Sequence, residues 1–396
     1  MRILLLTQVL PYPPDSGPKV KTWNVLKYLA ERHDVTLVSF VRGDQSGDVA
    51  RLRRYCRQVL TVPMKRGFAQ DGMAMARSLC SAQPWMMLRD DQHEMRQLVD
   101  RLSKEIAFEV AHADQLNMAQ YALRVRGARR VLDAHNALWL LYKRLAATMA
   151  PGPRKWLLER DWRLMKVYEG RMVRAFEAIL AVSEEDRQAL LDAAGVDREI
   201  SVIPIAIDTD EVLPVARRAG VDHILHVGTM YWPPNIDGIW WFLREVYPLI
   251  RSERPSVVLD IVGSRPPAEL RELGARDSAV NVTGYVDDPI PYSERAAAFI
   301  VPLRAGGGMR VKILNALAQG MPIVSTTLGA EGIAVTPGED ILLADTPGDF
   351  AQCVLRLLDE PGLAASLGAA GRCLVKQRYD YRVACRALDA VYTGSC

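Results

Sequence analysis

The sequence is poor in cysteine and has no strong excess of charge of either sign. Its six cysteines form no C-x-x-C pair and have no histidine at the spacing of a zinc site, so we expect reduced thiols, mostly in the core. Basic residues exceed acidic residues by only 3 among 396 residues. This balance gives no support to nucleic-acid binding, which depends on a strongly basic surface.

Long hydrophobic runs are also missing. The first residues, M-R-I-L-L-L-T-Q, contain an apolar run too short for the core of a signal peptide. No stretch approaches the roughly eighteen uncharged apolar residues that a membrane span requires. We therefore expect a cytoplasmic protein, and any membrane contact is expected to be peripheral, at the inner face of the membrane.

Short apolar runs do recur along the chain, and segments with helical periodicity separate them. The runs at 2–7 and 34–41 flank such a segment, which is typical of a β-α-β unit. The same alternation restarts at 223–228. The length also exceeds that of one ordinary core. The fold class predicted is α/β, with two Rossmann-like domains, each built on a parallel sheet.

The predicted domains divide the chain into two halves of similar size. The first covers 1–210 and the second covers 211–378, while 379–396 is expected to form a helix that crosses back to the first domain. Ligands of open α/β sheets bind at the carboxyl ends of the strands. If the two domains face each other, the strand-end loops would line an interdomain cleft.

The most informative segment is P-L-R-A-G-G-G-M-R-V-K-I-L-N-A-L-A-Q-G-M-P-I-V-S-T at 302–326. Gly306–Gly308 follow a predicted strand and let backbone amides approach an anion, which the positive end of the next helix also favours. Arg310 and Lys312 are predicted in the first helical turn, where cations oppose the helix dipole unless an anion binds. A solvated surface turn is the alternative, but this local conflict favours an anion site.

This segment resembles a motif of the retaining glycosyltransferases of the GT-B fold, family four. Their second domain typically carries a helix and strand similar to K-I-L-N-A-L-A-Q-G-M-P-I-V-S-T, which this chain has at 312–326. Flanking segments agree, namely V-G-S at 262–264, V-T-G-Y-V-D-D at 282–288, G-A-E-G-I at 329–333 and D-A-H-N at 133–136. The strongest likeness is to bacterial polysaccharide or exopolysaccharide sugar transferases.

The resemblance implies a nucleotide-sugar donor and an acceptor hydroxyl on a glycan, a lipid-linked sugar or a small molecule. It implies neither a metal nor another cofactor. The catalytic residues it suggests are His135, Arg310 and Lys312. The residues it suggests for donor binding are Gly17, Gly228, Gly263, Val286, Gly306, Gly307, Gly308, Asn315 and Glu331.

The acceptor site is predicted at strand ends of the first domain. Lys19, with neighbouring Gly17 and Lys21, is assigned to the first strand-to-helix loop, where it could contact phosphate or acceptor. His112 and Asp114, in V-A-H-A-D-Q, are predicted to contact the acceptor or assist proton removal. A surface hydrogen-bonded pair is the equally weighted alternative for these two residues.

The chain departs from the family at two places in the donor site. Family members usually have two glutamates eight positions apart, where this chain has Gly307 and Asn315. The usual Arg and Lys after the first strand of the second domain are also replaced, in the segment 227–238. Arg310 and Lys312 are predicted to substitute for that cation pair, and Glu331 for part of the glutamate function.

Two further patterns have competing interpretations. Asp208–Asp210 spells D-x-D, a metal-diphosphate motif of a different glycosyltransferase fold, and we interpret it here as a coincidence. The segment 154–176 has an apolar face among many basic residues. We expect this face to pack on the first domain, and the alternative is docking on anionic lipid.

Two other functions remain open from the sequence. A nucleotide-sugar epimerase uses the same pair of domains but needs no acceptor. A non-catalytic binding protein would explain the loss of both glutamates. There is no G-x-G-x-x-G motif, which disfavours a nicotinamide or flavin enzyme.

Overall fold

The computed structural model describes residues 1–218, 220 and 222–394. The chain divides into two compact units. The first unit contains Met1–Ala206 and the segment that begins at Tyr381, and the second contains Ile207–Asp380. The sequence-based division placed these two boundaries after 210 and after 378.

The first unit contains a seven-stranded sheet in the order β3-β2-β1-β4-β5-β6-β7, with every neighbouring pair parallel. Its strands are β1 (Arg2–Thr7), β2 (Asp34–Val41), β3 (Gln58–Pro63), β4 (Val110–Asp114), β5 (Arg129–Ala134), β6 (Ala178–Ala181) and β7 (Ser201–Val202).

Helices connect these strands and cover the sheet. They are α1 (Gly17–Ala30), α2 (Ser46–Leu52), α3 (Phe68–Cys80), α4 (Trp85–Arg89), α5 (His93–Glu105), α6 (Leu116–Ala122), α7 (Leu138–Thr148), α8 (Pro153–Ala175) and α9 (Glu184–Ala194).

The central strand β1 is buried on both faces. Leu4 and Leu6 lie in one core cluster, while Ile3 and Leu5 lie in the cluster on the opposite face. Successive side chains of a strand point to opposite faces, so two covered faces demand an unbroken apolar run. This explains the run that begins the sequence.

The second unit contains a six-stranded parallel sheet in the order β10-β9-β8-β11-β12-β13. Its strands are β8 (His223–Val227), β9 (Val258–Val262), β10 (Val280–Gly284), β11 (Ala298–Val301), β12 (Ile323–Ser325) and β13 (Leu342–Leu343). The predicted α/β fold class, with two Rossmann-like domains on parallel sheets, is therefore confirmed.

The helices of the second unit include two π-helical turns, Phe242–Val246 and Val375–Tyr379. Its α-helices are α10 (Pro233–Trp241), α11 (Tyr247–Glu253), α12 (Ala268–Arg276), α13 (Ile290–Glu294), α14 (Val311–Ala318), α15 (Pro347–Asp359) and α16 (Pro361–Leu374). Among the described residues, none of the helices has the length and apolar composition that a membrane crossing requires.

The final segment forms two helices instead of the single one expected within 379–396. These are α17 (Tyr381–Ala384) and α18 (Ala387–Thr393), and both belong to the first unit. Leu388 and Val391 of α18 are buried in the same core cluster as Ile3 and Leu5 of β1.

Two strands of only two residues, β7 and β13, differ from what the sequence pattern indicates. The apolar run at 201–208 forms a strand only as far as Val202, because Pro204 has no amide hydrogen to continue the ladder. The two-residue strand β13 was not predicted, since two residues are too few to reveal a period.

The cysteines are less buried than expected. Five of the six cysteines lie in the described part of the chain. Cys56 and Cys385 are buried, but Cys80 and Cys373 are exposed and Cys353 is half-buried. The expectation of mostly core thiols is therefore wrong for the described residues, and the sixth cysteine, at the last position, lies outside them.

A glycine fixes the contact between α8 and α9. A Cβ atom on Gly170 would lie 2.1 Å from the carbonyl oxygen of Ala193. We expect Gly170→Ala to reduce the free energy of unfolding by about 1–3 kcal/mol, because neither backbone can yield without disturbing the packing. Thermal and urea denaturation followed by circular dichroism measure this loss.

Gly72→Ala is the matched control for this substitution. Gly72 is also helical, in α3, but a Cβ atom there would meet nothing within 4 Å. Its replacement should stabilise the protein by about 0.4–1 kcal/mol. Equal stability of the two variants would contradict the packing argument.

Candidate active site

The glycine-rich loop of the second unit joins β11 to α14. Gly306 and Gly308 have positive φ angles of 119° and 76°, a region that side chains with a Cβ atom rarely adopt. Arg310 precedes the helix as its N-cap residue and has extended backbone, so its predicted place in the first helical turn is wrong. Its guanidinium contacts the carbonyl oxygens of Gly307 and of Gly308, the latter at 2.6 Å.

The first turn of α14 has no acidic residue, although an acid there would complement the positive end of the helix dipole. Lys312 is in this turn, as predicted. The loop and the helix start therefore combine two cationic side chains with backbone amides. Such a combination attracts anions.

Lys312 reaches the loop that follows β8. Its ammonium donates to the side-chain oxygen of Asn235 at 3.0 Å, and Asn235 donates to the carbonyl of Thr229 at 2.9 Å. Removal of the ammonium from water, together with the charge of Arg310, lowers the pKa of Lys312 to about 7. The ammonium of Lys312 thus contacts the segment 227–238, where the family usually has its Arg and Lys.

His226 is a residue of this site that the sequence reasoning missed. It is fully buried in β8, and its Nδ1 donates to the carbonyl of Ile300 at 3.1 Å. Its Nε2 has no hydrogen-bond partner among the described residues. Burial, aided by the nearby Lys312, holds the pKa of His226 well below its usual value, so the ring is neutral. The only sequence signal was its position in the strand H-I-L-H-V.

Gly228 and Gly263 bring the loops after β8 and β9 into close contact. A Cβ atom on Gly263 would lie 1.7 Å from the carbonyl oxygen of Gly228, and one on Gly228 would lie 2.9 Å from Nζ of Lys312. Gly228 also donates to the carbonyl of Val262 at 2.9 Å. Backbone packing therefore requires Gly263, whereas a Cβ atom on Gly228 would meet only side-chain atoms. The predicted contact of both glycines with donor stays a prediction.

Three other predicted donor contacts lie in different elements of the second unit. Val286 follows β10, Asn315 is in α14, and Glu331 follows β12. All three side chains are half-buried. Because β10, α14 and the β12 loop meet the same edge of a parallel sheet, each remains within reach of a ligand at that edge.

The first unit has a buried polar cluster at the carboxyl ends of β4 and β5. Its members are His112 and Asp114 of β4, Asp133 of β5 and His135, which immediately follows β5. All four are less than 6% exposed. Alternation along paired parallel strands places them on one face of the sheet. The alternative of a surface pair for His112 and Asp114 is therefore wrong.

Helix α1 supplies the partners of the two carboxylates. Lys21 forms an ion pair with Asp133, and the hydroxyl of Thr22 lies 2.9 Å from both oxygens of Asp114. Burial alone would raise the pKa of Asp133, but the charge of the Lys21 ammonium holds it well below its usual range. Sequence reasoning did not single out Thr22 or Asp133.

Gly17, Lys19 and Lys21 belong to α1 and not to a loop, which corrects the predicted position of all three. Gly17 is the first residue of the helix. Lys19 pairs with Asp15 at 3.0 Å. Lys21 is only 1% exposed, so it cannot serve as a surface contact for acceptor.

His112 is fully buried, and its Nδ1 lies 2.6 Å from the hydroxyl of Tyr392 in α18. Burial raises the pKa of Tyr392 well above its usual value, so the phenol keeps its proton and shares a hydrogen bond with His112. The imidazole is thereby held between α18 and Asp133.

Two buried carboxylates fix the segment that follows His135. Glu169 of α8 accepts from the amides of Leu138 and Trp139 at 2.9 and 2.8 Å, at the start of α7. Asp186 accepts from the amide of Ala137 at 2.8 Å. Burial raises the pKa of Glu169 to about 8. Neither residue was predicted, because their contacts join segments far apart in the sequence.

His112, Asp114 and Asp133 each offer one ligand atom, and these atoms lie within 4.8 Å of one another. The ammonium of Lys21 is bound to the same Asp133. A divalent cation held by the three residues would lie close to that positive charge, which disfavours binding. In the second unit, the D-x-D segment has Thr209 donating to Asp380 at 2.6 Å.

Comparisons with known proteins identify the family and the fold of the chain. A family model described as "Glycosyltransferase Family 4" matches residues 16–211, and one described as "Glycosyl transferases group 1" matches residues 221–360. The chain is 22% identical over 364 residues to an uncharacterised 44.6 kDa protein of the cps region of Klebsiella pneumoniae. That match covers 89% of this chain and 90% of the relative.

A second relative is named a GDP-mannose-dependent monoacylated alpha-(1-6)-phosphatidylinositol monomannoside mannosyltransferase, from Corynebacterium glutamicum. It is 33% identical over 153 residues, which cover 36% of this chain and 40% of the relative. Among solved structures, sucrose-phosphate synthase of Thermosynechococcus elongatus is similar in fold, with a TM-score of 0.71 at 16% identity. That match covers 100% of this chain and 99% of the other.

The two family models match segments in both units, and the sheets of both units have the expected parallel order. The solved structure adds a similarity of fold over the whole chain. The chain therefore belongs to the family-four glycosyltransferases of the GT-B fold.

Proposed function

We propose that the protein transfers a sugar from a nucleoside diphosphate sugar to an acceptor hydroxyl with retention of configuration, and that it needs no metal. One observation carries the proposal. The start of α14, whose first turn has no acid, combines the glycine backbone of Gly306–Gly308 with two cations, Arg310 and Lys312. This combination suits a diphosphate leaving group.

The leaving diphosphate develops negative charge as the bond to the sugar breaks. Backbone amides of the glycine loop, Arg310 and Lys312 stabilise this charge, which supplies much of the catalysis. With retention, the acceptor hydroxyl attacks the face that the diphosphate leaves. Its proton then passes to the diphosphate, and a dedicated protein base is unnecessary.

Lys312 takes the place of the cations that the family has after the first strand of its second domain. Its bond to Asn235 supports this substitution, because Asn235 lies in that segment. Asn315 can still accept or donate a hydrogen bond to a ribose hydroxyl, although a neutral bond is weaker than one to a carboxylate. Glu331 supplies a carboxylate at the same edge of the sheet.

The acceptor belongs to polysaccharide or glycolipid synthesis. The name of the relative from Corynebacterium glutamicum, which specifies a phosphatidylinositol mannoside, supports a lipid-linked acceptor. The cps-region name of the relative from Klebsiella pneumoniae supports a polysaccharide pathway. Incubation with a panel of nucleotide sugars and acceptors tests this directly. Formation of a sugar isomer without acceptor would favour an epimerase instead.

Arg310→Ala and Lys312→Ala are each expected to weaken binding of a nucleoside diphosphate by about 10- to 100-fold. Each removes a charge-assisted hydrogen-bond donor worth roughly 1.5–3 kcal/mol. Calorimetric titration with UDP, GDP, ADP and TDP measures the affinities and identifies the preferred base.

Arg304→Ala is the control for these two variants. Arg304 lies in the same loop but is exposed and pairs with Asp237 at 2.7 Å. Its loss should leave diphosphate affinity within about twofold, as expected for an exposed ion pair. Unchanged affinity in both the Arg310 and the Lys312 variants would refute the assignment of the loop.

Diphosphate affinity should fall as the pH rises from 7 to 9. Lys312 has a pKa of about 7 without ligand, so above pH 7 its amine is uncharged in most protein molecules. Each of these molecules must take up a proton at Lys312 before the resulting ammonium can bind the anion. The facing groups are the cation of Arg310, the neutral ring of His226 and the amide of Asn235. Calorimetry in buffers of different ionisation enthalpy counts the protons taken up, which should approach about one near pH 8.

Lys312→Arg is the matched variant for this measurement. A guanidinium keeps its proton throughout this range, so its diphosphate binding should take up almost no proton between pH 7 and 9. Proton uptake equal to that of the wild type would assign the titration to another group.

Peripheral membrane contact is the second part of the proposal, and α3 supports it. Only Ala74 and Ser78 of this helix are buried, while Phe68, Met73 and Leu79 are exposed. Phe68 is fully exposed at 101%. Exposed apolar side chains on one helix are typical of an element that lies in a lipid interface.

Helix α8 extends this surface. Arg160 of α8 donates to the carbonyl oxygens of Ser78 and of Ser81, the latter at 3.2 Å. The exposed Trp156 and Arg154 lie near the start of α8. The apolar face that was expected to pack on the first domain does so, because Met165, Met172 and Phe176 join its core. The proposed lipid contact therefore uses α3 and the first turns of α8.

Combined replacement of Phe68 and Met73 by serine should weaken binding to vesicles of anionic phospholipid by about 10-fold or more. Each buried apolar side chain contributes roughly 1.5–3 kcal/mol to insertion. Flotation with anionic and neutral vesicles measures the binding. Leu249→Ser, which changes an exposed apolar side chain of the second unit, is the control. Wild-type binding no stronger than that of the double variant would exclude this surface.

A further inference from the structure

The hydrogen bond between His135 and Asp114 determines which ring nitrogen of His135 carries the proton. Nε2 of His135 lies 3.0 Å from Oδ1 of Asp114. An ionised carboxylate can only accept, so Nε2 must donate. In the neutral ring, Nδ1 then has a lone pair and no proton.

Thr22 holds the carboxylate of Asp114 in place. Its hydroxyl lies 2.9 Å from both carboxylate oxygens and also 2.9 Å from the carbonyl oxygen of Pro18, so these acceptors share its single proton, and the threonine is 2% exposed. The donor comes from α1 and the acceptor from β4, so the helix fixes the carboxylate against the sheet. Asp114 is thereby oriented towards His135 before any ligand binds.

A second carboxylate nearby has its own partners and does not compete for His135. Asp133 lies 4.0 Å from Nε2 of His135, beyond hydrogen-bond distance. Lys21 neutralises it at Oδ1, and Nε2 of His112 lies 3.7 Å from Oδ2. The charged and titratable groups around His135 are thus Asp114 and His112 from β4, Asp133 from β5, Lys21 from α1 and Tyr392 from α18.

Nδ1 of His135 is buried and has no hydrogen-bond partner among the described residues. The residue as a whole is 5% exposed. A buried acceptor without a donor is destabilising, and proteins rarely retain one without a use for it. For the neutral ring, the missing partner is a hydrogen-bond donor.

We propose that Asp114 and Thr22 are positioning residues that fix His135 with Nδ1 ready to accept a hydrogen bond from a sugar hydroxyl of the substrate. The inference rests on the proposed transferase function for the identity of that hydroxyl. It changes the role predicted for Asp114, which acts through His135 and does not contact the acceptor. The hydroxyl belongs either to the donor sugar or to the acceptor, and the kinetics below distinguish them.

The first test needs no substrate. Nitrogen-15 NMR of the histidine rings reports which nitrogen carries the proton. Wild-type protein should show His135 as the Nε2-protonated form, with Nδ1 unprotonated. Asp114→Asn should give a mixture of both forms, because an asparagine amide can donate as well as accept. A His135 ring protonated mainly at Nδ1 in the wild type would overturn the proposal, whether or not the protein is a transferase.

The second test measures transfer by the same variants. Asp114→Asn should lower kcat by about 10- to 100-fold, as expected for the loss of one charge-assisted bond. Thr22→Val, which is close in shape but has no hydroxyl, should lower kcat by a smaller factor. Thr22→Ser should restore activity because it keeps the hydroxyl.

Asp260→Asn is the matched control. Asp260 of β9 is a buried carboxylate that accepts from His223, the first residue of β8, at 2.8 Å and from Arg295 at 2.7 Å. Its replacement should cost at least as much stability as Asp114→Asn, while kcat is retained. Equal loss of kcat in both variants, or full activity of Asp114→Asn, would overturn the proposal.

The two sources of the hydroxyl give different kinetics. If the donor sugar supplies it, Asp114→Asn slows the hydrolysis of nucleotide sugar in the absence of acceptor as well as the transfer. If the acceptor supplies it, hydrolysis keeps the wild-type rate and only transfer falls. Either result supports the positioning role. A wild type without turnover on any nucleotide sugar would refute the transferase function, and the NMR test of the histidine would still stand.

Discussion

The buried ion pair between Lys21 and Asp133 is the interaction on which the polar side of the first unit depends. Neither residue is more than 1% exposed, and the pair connects α1 to β5 near the centre of the sheet. An unpaired charge at this depth would cost about 3–5 kcal/mol, so both partners must be present together. With Asp133 neutralised, Asp114 is left to bind His135, and His112 is left to bind Tyr392.

In the second unit, by contrast, the half-buried ammonium of Lys312 has no carboxylate partner among the contacts of the described residues. Lys312 donates only to the neutral side chain of Asn235, and its pKa falls accordingly. A lysine in such a place destabilises the empty protein, since burial opposes its charge. An anionic ligand removes this cost. The loss of the usual glutamates at Gly307 and Asn315 therefore changes how the donor is held, while the site keeps its positive charge.

The sequence predicted most strands and the position of the glycine loop, because both depend on local patterns. Buried parallel strands such as β1 are continuous apolar runs, and Gly306 and Gly308 are required by positive φ angles. The contacts of the site were not predictable in this way. Lys312 meets Asn235 across 77 residues, and Asp133 meets Lys21 across 112. Side chains so distant in sequence are brought together by the order of strands, and single-sequence patterns do not specify that order.

The exposure of α3 was also not predicted, because an amphipathic helix has the same period whether its apolar face is covered or open. The segment at 154–176 led to the correct expectation of packing, since its apolar face does join the core. The helix with the uncovered face is the shorter one, α3, which has only two buried residues.

The return of the chain to the first unit after Asp380 means that the second unit is an insertion within the first. During synthesis on the ribosome, the whole of Ile207–Asp380 emerges before α18 does. The second unit can thus complete its core while the first still lacks Leu388, Val391 and the Tyr392 partner of His112. The amino-terminal half would then be the last to reach its final structure, which reverses the usual order in which domains mature.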